Sequence, residues 1–455
     1  MQIDPNGTSD RIAVTGTAAL GGTMRISSGG QPHTDGPFTL LTAGNLVGTF
    51  DAVTTDLAFF APQLSYDMQS VSVGIQRNDV SFGQAGATGN QMAMGNAVEA
   101  LGAGNPIYDA VLRLTEAEAK SAFDQLSGEP HASQASGAIE TSSGTGQIAT
   151  NRVEHAFAAL GQGADQVSSY AQTASPTAYG VPKNHAVWGQ LYGAYGVVDA
   201  GSGTSGVASS NGGIVAGLDG LLDDWRLGLL LQGGFSGTQV AALNATASST
   251  DYGLGLYGGR QFGDTLLSFG ATYTRHANST TRQVSFPGFT DTLSASYGSG
   301  TSQVFGNVSH EFDLGAVSVK PYAGLAYVSH ATEGFTESGG PAALTSAANV
   351  VSATFASLGL GAEQQFVVGE DMLLTASGSL GWRHAFAEAP ISVHSFGAGP
   401  AVNVTGKPAA SDVLTFGAGL ALDVRAGTNL NLTYDGQIGN GTRTHALQGM
   451  WSQQF

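Results

Sequence analysis

From residue 183 to its end the chain keeps one rhythm: runs in which every second side chain is apolar, separated by connections of two alternating kinds. Period two marks a strand whose two faces meet different surroundings. About twelve such runs occur. Short connections rich in Asp and Gly fall at LDDW, QFGDT, EFDLGA, VGEDM and RAGTN. Longer polar ones cover 201–211, 237–248, 279–292, 332–349, 388–412 and, the briefest, 439–442. Short turns on one rim and long loops on the other are the pattern of an outer-membrane barrel.

The faces sharpen this expectation. In DWRLGLLLQGGF, residues Trp225, Leu227, Leu229, Leu231 and Phe235 share one side, with Arg226, Gly228 and Gln232 opposite. In TNLNLTYDGQIG, Leu430, Leu432, Tyr434 and Ile438 oppose Asn429, Asn431, Thr433, Asp435 and Gln437. Alternation alone leaves open which side is inside, because a soluble barrel turns its apolar face inward. The polar side is rich in Gly, Ser and Thr and poor in charge, whereas a soluble surface usually carries more charge. A polar, crowded lumen fits that composition better. Its charged members would be Arg226, Asp251, Arg260, Lys320, Glu363, Arg383 and Asp423, pairing with one another or packing a plug.

Composition agrees. Of 455 residues, 42% are hydrophobic and only 11% charged, with 67 Gly and no Cys. Repeated β structure with tight turns tolerates so much glycine. A net charge of −18 argues against a nucleic-acid partner, since nothing would neutralise phosphates. Without Cys there is no disulfide or thiolate site to consider. No run approaches the 18 or so apolar residues of a membrane helix. The opening Met1-Gln-Ile-Asp-Pro has neither the basic nor the apolar part of an export signal. An export signal is therefore expected upstream of Met1.

The first part of the chain reads differently. Residues 1–82 read as short strands with frequent turns, with alternation at Ile12 and Val14 and at Val71, Val73 and Ile75. A small sandwich and the end of a β-solenoid are both compatible. Residues 83–182 turn helical. IYDAVLRLTEAEAKSAFDQLSG offers Leu112, Ala119, Phe123 and Leu126 to one face, and Gly128 ends that helix. The Ser/Gly-rich SQASGAIETSSGTG interrupts, and QIATNRVEHAFAALGQG follows as a second helix, near 147–161, without a strong apolar stripe. It is either a linker or a helix housed in a polar lumen.

Five segments, in order, resemble the autotransporters of type V secretion in Gram-negative bacteria. SDRIAVTGTAALGGTM with LSYDMQSVSVGIQRND looks like the end of a β-helical passenger, and DQLSGEPHAS like the segment before the translocator. VWGQLYGAYG is similar to the first barrel strand, VKPYAGLAYVSHATEGFTESG to a later strand and its loop, and HALQGMWSQQF to the closing strand. Gln453 departs from the family's usual aromatic or apolar residue at that place. The resemblance implies an all-β translocator: a 12-stranded antiparallel transmembrane barrel with an α-helix in the pore. It also implies export of the chain's own passenger to the cell surface, without a cofactor. The expected organisation is 1–82 passenger end, 83–182 linker and pore helix, and 183–455 barrel. Expected partners are outer-membrane lipid, the barrel-assembly machinery and periplasmic chaperones. The outward residues Leu447, Trp451 and Phe455 of the closing strand are implied to be the assembly signal.

Enzyme motifs contribute little. GSGTSG and GLGLYG match a dinucleotide fingerprint, but one lies in a loop and the other within a strand, whereas the fingerprint joins a strand to a helix. His276, His310, His330, His384, His394 and His445 stand at no catalytic spacing. A barrel hydrolase of lipase or protease type and a diffusion porin are the alternatives to export. Labels at Ser205 and Ala342 are expected to be accessible outside cells, and one at Asp264 is not.

Overall fold

The structure, a computed structural model, describes residues 1–3, 8–28, 36–165, 184–201, 203–368, 372–424 and 427–455. Twelve strands form the barrel: β1 His185–Val198, β2 Val207–Leu222, β3 Trp225–Val240, β4 Ala245–Phe262, β5 Thr265–Phe286 and β6 Phe289–His310. They continue as β7 Ser318–Thr332, β8 Asn349–Val368, β9 Met372–Ala387, β10 Asp412–Val424, β11 Thr428–Gly439 and β12 Thr442–Gln454. Each pairs antiparallel with its sequence neighbours. The circle closes where β12 pairs with β1, from Thr442↔Val198 to Gln454↔Ala186. Phe455 and His185 extend the seam with reciprocal backbone bonds of 2.9 and 3.2 Å. Closure removes both sheet edges, which in lipid would leave N–H and C=O groups without partners.

The faces are assigned by exposure. Leu227, Leu229, Leu231, Leu254, Leu256 and Leu432 are 43–67% exposed and look outward, while Arg226 on the opposite face is fully buried. An apolar band around a polar interior suits a wall with lipid outside. No described helix is long and apolar enough to cross a membrane.

The short-turn rim is as expected at Asp223 and Asp224 between β2 and β3, and at Gly263 and Asp264 between β4 and β5. The turns at VGEDM and RAGTN lie partly outside the described residues. On the other rim two expected loops are largely strand. Residues 279–292 continue the β5–β6 ladder to its tip at Phe286↔Phe289, and 237–248 extend β3 and β4 around a short 3-10 turn at Ala241–Leu243. Ser/Thr-rich sequence suits an extramembrane hairpin as well as a loop. At 22 residues each, β5 and β6 are about twice the length a tilted transmembrane strand needs.

The two longest loops are folded. Phe335–Thr336, Leu344–Ser346, Ile391–Phe396 and Val402–Thr405 form a four-stranded sheet at the mouth. Over it sit α1 Gly89–Leu101, α2 Pro106–Val111 and α3 Glu116–Leu126. Thr88 caps α1 by accepting from Gln91 N, and a reciprocal Thr115–Glu118 capping box starts α3. The single helix expected over IYDAVLRLTEAEAKSAFDQLSG is thus broken into α2 and α3, with Leu112 only partly buried at the break. Met94, Val98, Ile107, Val111, Phe123 and Leu126 are fully buried against Val284, Leu344 and Val404 of the barrel tips and loop sheet. A cap with its own apolar core covers the mouth.

Above the cap, Ile12–Ala19 pairs parallel with Phe38–Val47, and Thr23–Ser28 pairs parallel with Ala52–Thr55. Strands stacked parallel on their own chain roughly one coil later form rungs of a solenoid, not a sandwich of antiparallel sheets. The hairpin Phe60–Tyr66 with Ser70–Arg77 follows, and a Leu57↔Thr115 bridge joins this unit to the cap.

Candidate functional site

The site is the lumen, and one helix occupies it. After Leu126 the chain turns at Gly128, whose φ of +72° suits glycine. A side chain there would also collide with Leu344 and His394. The helix α4, Glu129–Asp165, then runs 37 residues through the barrel toward the short-turn rim. It is longer than the 147–161 expected, and the SSGTG stretch lies within it. Ser and Gly are weak helix formers in water. Inside a polar wall, where solvent does not compete for the backbone, a helix is the conformation that satisfies every peptide group. Small side chains also let the helix approach the wall. At Gly146 an added Cβ would stand 2.6 Å from Gln303 Nε2. Of the 83–182 expected to hold linker and pore helix, residues 166–182 lie outside the described residues.

Polar tethers hold α4 along its length. At the outer mouth Glu129 accepts from Ser205 N at 2.7 Å. Two residues on, His131 Nε2 lies 2.7 Å from Glu337 Oε1, while Arg282 donates to both Glu337 oxygens at 2.8 Å. Burial works to raise the Glu337 carboxyl, but Arg282 and His131 outweigh it and hold it well below the usual range. Midway, Tyr297 donates to Gln134, Arg383 to Glu140 at 2.8 Å and Thr145 to Gln232 at 3.0 Å. Near the short-turn rim Arg152 donates to Asp219 through Nε at 2.7 Å and Nη2 at 3.0 Å. Asn431 Nδ2 donates to His155 at 2.6 Å. The apolar pins are few: Ile139 against Val328 and Phe355, and Ile148 and Val153 against Trp188, Leu230 and Tyr257. A cavity of about 340 Å³ remains beside the helix, lined in part by Gly137, Thr141, Tyr192, Asn307, Tyr322 and Asp435.

Six of the seven charged residues expected inside are there. Arg226 donates to Asp219 at 2.6 Å, Asp251 accepts from His276 Nδ1 at 2.8 Å, and Asp423 accepts from Asn429 at 2.7 Å. Lys320 pairs with Glu363 at 2.8 Å, and Arg383 with Glu140. Arg260 is a correction. Its register opposite Trp225 puts it on the outward face, where it stacks over Trp225 and Phe262 and reaches Asp224 at 2.8 Å. A long cationic side chain at a membrane interface can lay its stem on aromatic rings and keep its head in water. Asp219, Arg282, Glu337 and Arg152 were not singled out from the sequence. Period two does put Asp219 on the same side as Arg226, so it was findable. The rest depend on contacts across loops and helix.

Four of the six histidines stand apart from one another. His310 bonds Thr265, His384 bonds Asp412 and His445 bonds Tyr434 at the wall, while His394 is buried under the cap. Asp251, His276, Thr301 and His330 do form a bonded row. Thr301 is 1% exposed, so its hydroxyl offers no open approach to an acyl substrate. Among the described residues no group of three or more His, Cys, Asp or Glu is gathered to hold a metal.

Residues 187–435, more than half of the chain, match the family described as the autotransporter beta-domain. This chain belongs to that family. It is an outer-membrane translocator that exports an N-terminal passenger to the cell surface. Two curated relatives, both named extracellular serine protease and both from Serratia marcescens, are 27% identical over 512 residues. Those alignments take in all of this chain and 47% of each relative, so the chain spans about half their length. The translocator domain of autotransporter NalP from Neisseria meningitidis shares the fold, with a TM-score of 0.52 at 14% identity over 70% of this chain and 98% of that one. In the autotransporter the three outward residues of the closing strand, Leu447, Trp451 and Phe455, are 57%, 44% and 63% exposed.

Proposed function

We propose that residues 1–82 are the last coils of the passenger, that 83–182 join them to the pore, and that 183–455 are the translocating barrel. The observation that carries this is the direction of α4. Its N-terminal end meets the long-loop mouth at Ser205 and Glu337, and its far end meets Asp219 and Asn431 near the opposite rim. The chain before it therefore lies outside and the barrel strands return from the periplasmic side. The passenger upstream is an extracellular hydrolase of the serine protease class, a reading supported by the Serratia relatives. The barrel segment itself supplies passage, not catalysis, and needs no cofactor. Periplasmic chaperones carry the unfolded barrel to the assembly machinery, which reads Leu447, Trp451 and Phe455.

Cysteine labelling tests the orientation. Ala342 is fully buried beneath the cap and Ser205 is half-buried on Glu129, so both expected label sites move to exposed neighbours. Ala200→Cys and Thr345→Cys should react on intact cells, and Asp264→Cys only after the membrane is opened. Labelling of Asp264→Cys alone would reverse the topology. A serine-reactive probe on the full-length secreted product tests the passenger. Loss of heat-modifiable barrel on Trp451→Asp, with precursor held in the periplasm, tests the assembly signal.

A further inference from the structure

We propose that the outer face of the raised β4–β6 wall is a docking surface for the oligosaccharide headgroup of the outer-leaflet glycolipid. The inference rests on the long-loop rim lying outside the cell, which labelling of Ala200→Cys and Asp264→Cys tests by itself.

The lipid-facing band ends in a line of aromatic residues. Phe235 on β3, Tyr252 on β4 and Tyr273 on β5 all look outward and are exposed. Opposite Phe235 stands Thr250, two residues before Tyr252, and opposite Tyr252 stands Arg275, two residues past Tyr273. The line therefore moves by one outward position per strand, as an interfacial girdle does on tilted strands.

Above the girdle the same face continues without a break. Its register makes two straight rows across β4, β5 and β6, Ser248–Ser279–Ser296 and Thr246–Thr281–Ser294. All six residues are exposed. No exposed position between Ala277 and Ser285 on β5, or between Thr290 and Ser296 on β6, carries a charge. The inner face of this wall is pinned to the cap, with Val284 and Phe286 in the cap core and Arg282 donating to Gln125 O at 2.8 Å. The hydroxyls thus stand on a fixed plane.

Water alone does not account for such a face. A water-facing surface usually carries charges of both signs, and the cap does, as in the Glu116–Lys120 pair on α3. Strand propensity favours Thr but gives no reason for Ser. Each hydroxyl offers one donor and two acceptor sites, and a short side chain loses little freedom when it is fixed. In register they form a lattice with spacings of about 4.8 Å across strands and about 6.7 Å along them. A neutral polyol can exchange hydrogen bonds with that lattice without needing a counter-charge.

Height selects the headgroup. Ser248 lies four residues above Tyr252, and Ser279 lies six above Tyr273. At ~3.3 Å per residue and a tilt of ~40°, this row stands roughly 10–15 Å above the girdle. A phospholipid headgroup layer adds only about 5–7 Å to each side of the hydrocarbon. The rows stand above it, where an oligosaccharide carried on a glycolipid would reach.

The chain has no Cys, so single labels have no background. On intact cells Ser279→Cys should react with a bulky maleimide polymer about ten-fold more slowly when the glycolipid carries its core oligosaccharide than when it is truncated to the phosphorylated lipid. Glu116→Cys on the cap should react at one rate in both. Slow reaction of Ser279→Cys in both backgrounds would mean that protein, such as a second copy of this chain, covers the face, and fast reaction in both that water does. Either result overturns the proposal. Barrels refolded into vesicles of the two glycolipids separate contact from crowding. With the oligosaccharide present, amides of the β5–β6 hairpin between 277 and 296 should exchange hydrogen about three-fold more slowly. Ser248→Ala combined with Ser279→Ala and Ser296→Ala should abolish that difference, and its survival would show that the hydroxyls make no contact. A mass increase on the hairpin peptide of the purified chain would mean sugar attached covalently and not docked, which also overturns the proposal.

Discussion

The cap helices and the pore helix lie next to each other in sequence, separated only by the Gly128 turn, yet they are held by opposite means. In the cap, α1–α3 bury a continuous apolar core, with Phe82, Met94, Ile107, Phe123 and Leu126 fully covered. In the pore, α4 carries three apolar pins and a ladder of polar bonds to the wall. The surroundings decide which works. The cap faces water and is stabilised by removing apolar area from it. The pore helix enters a wall of Ser, Thr, Gln and paired charges, where apolar side chains would leave the wall's polar groups unmatched. A helix housed in such a wall is better served by small and polar side chains.

The sharpest way to break the comparison is in the cap core. Phe123→Ala should cost the cap about 3–5 kcal/mol, the usual range for an emptied aromatic site. Limited proteolysis should then release the cap while the barrel stays heat-modifiable. If cap and barrel are lost together, they are one cooperative unit and the contrast fails. Arg282→Ala should approach that cost, about 3 kcal/mol, because Glu337 would be left buried without its cation. The same proteolysis reads it, with Arg282→Lys recovering part of the loss.

In the pore, Thr145→Val removes one bond to Gln232, which keeps its own bond to Thr274. The expected change is about 1 kcal/mol, seen as faster hydrogen exchange of the α4 amides near position 145. A loss as large as that of Phe123→Ala would show that the tethers are not individually weak.

The smallest effect expected is on pH. Burial, helped by His131 and Arg282, pushes the His394 imidazole down from its ordinary 6.5 to about 3. The unfolded cap therefore binds the proton first, and stability falls as pH drops from about 6.5 toward 3, by at most ~1.4 kcal/mol per pH unit. Glu337, held low by Arg282 against the pull of burial, loses its contribution only below the ordinary 4.5. Glu129 and Asp124, both raised by burial, act in the opposite sense, favouring the cap as pH falls. Proteolysis of the parent and of His394→Gln should thus diverge between pH 6.5 and 5, and matching slopes would remove His394 from the account.

Much of the barrel was legible in period two and in the spacing of Asp/Gly turns. The outward set Leu227, Leu229, Leu231, Leu430 and Leu432 and the seam between β12 and β1 follow from local pattern and from the need to close an edge. What alternation leaves undecided is its own sign, since a strand read with its faces exchanged has the same period. The structure supplied that sign through exposure. Arg260 was misplaced for a related reason. It shares the face of Leu254, Leu256 and Phe262, and being charged it was assumed to turn inward, although an interface accepts a charge that a bilayer centre does not. The helical state of SSGTG and the meeting of Arg152 with Asp219 or Arg282 with Glu337 were beyond any local reading. These partners are 67 and 55 residues apart, and only the folded wall brings them together. The sequence by itself determined where strands begin, turn and alternate, because those choices are made within a few residues. The tertiary structure decided what fills the pore and what holds it there, because those choices depend on a surface assembled from every strand.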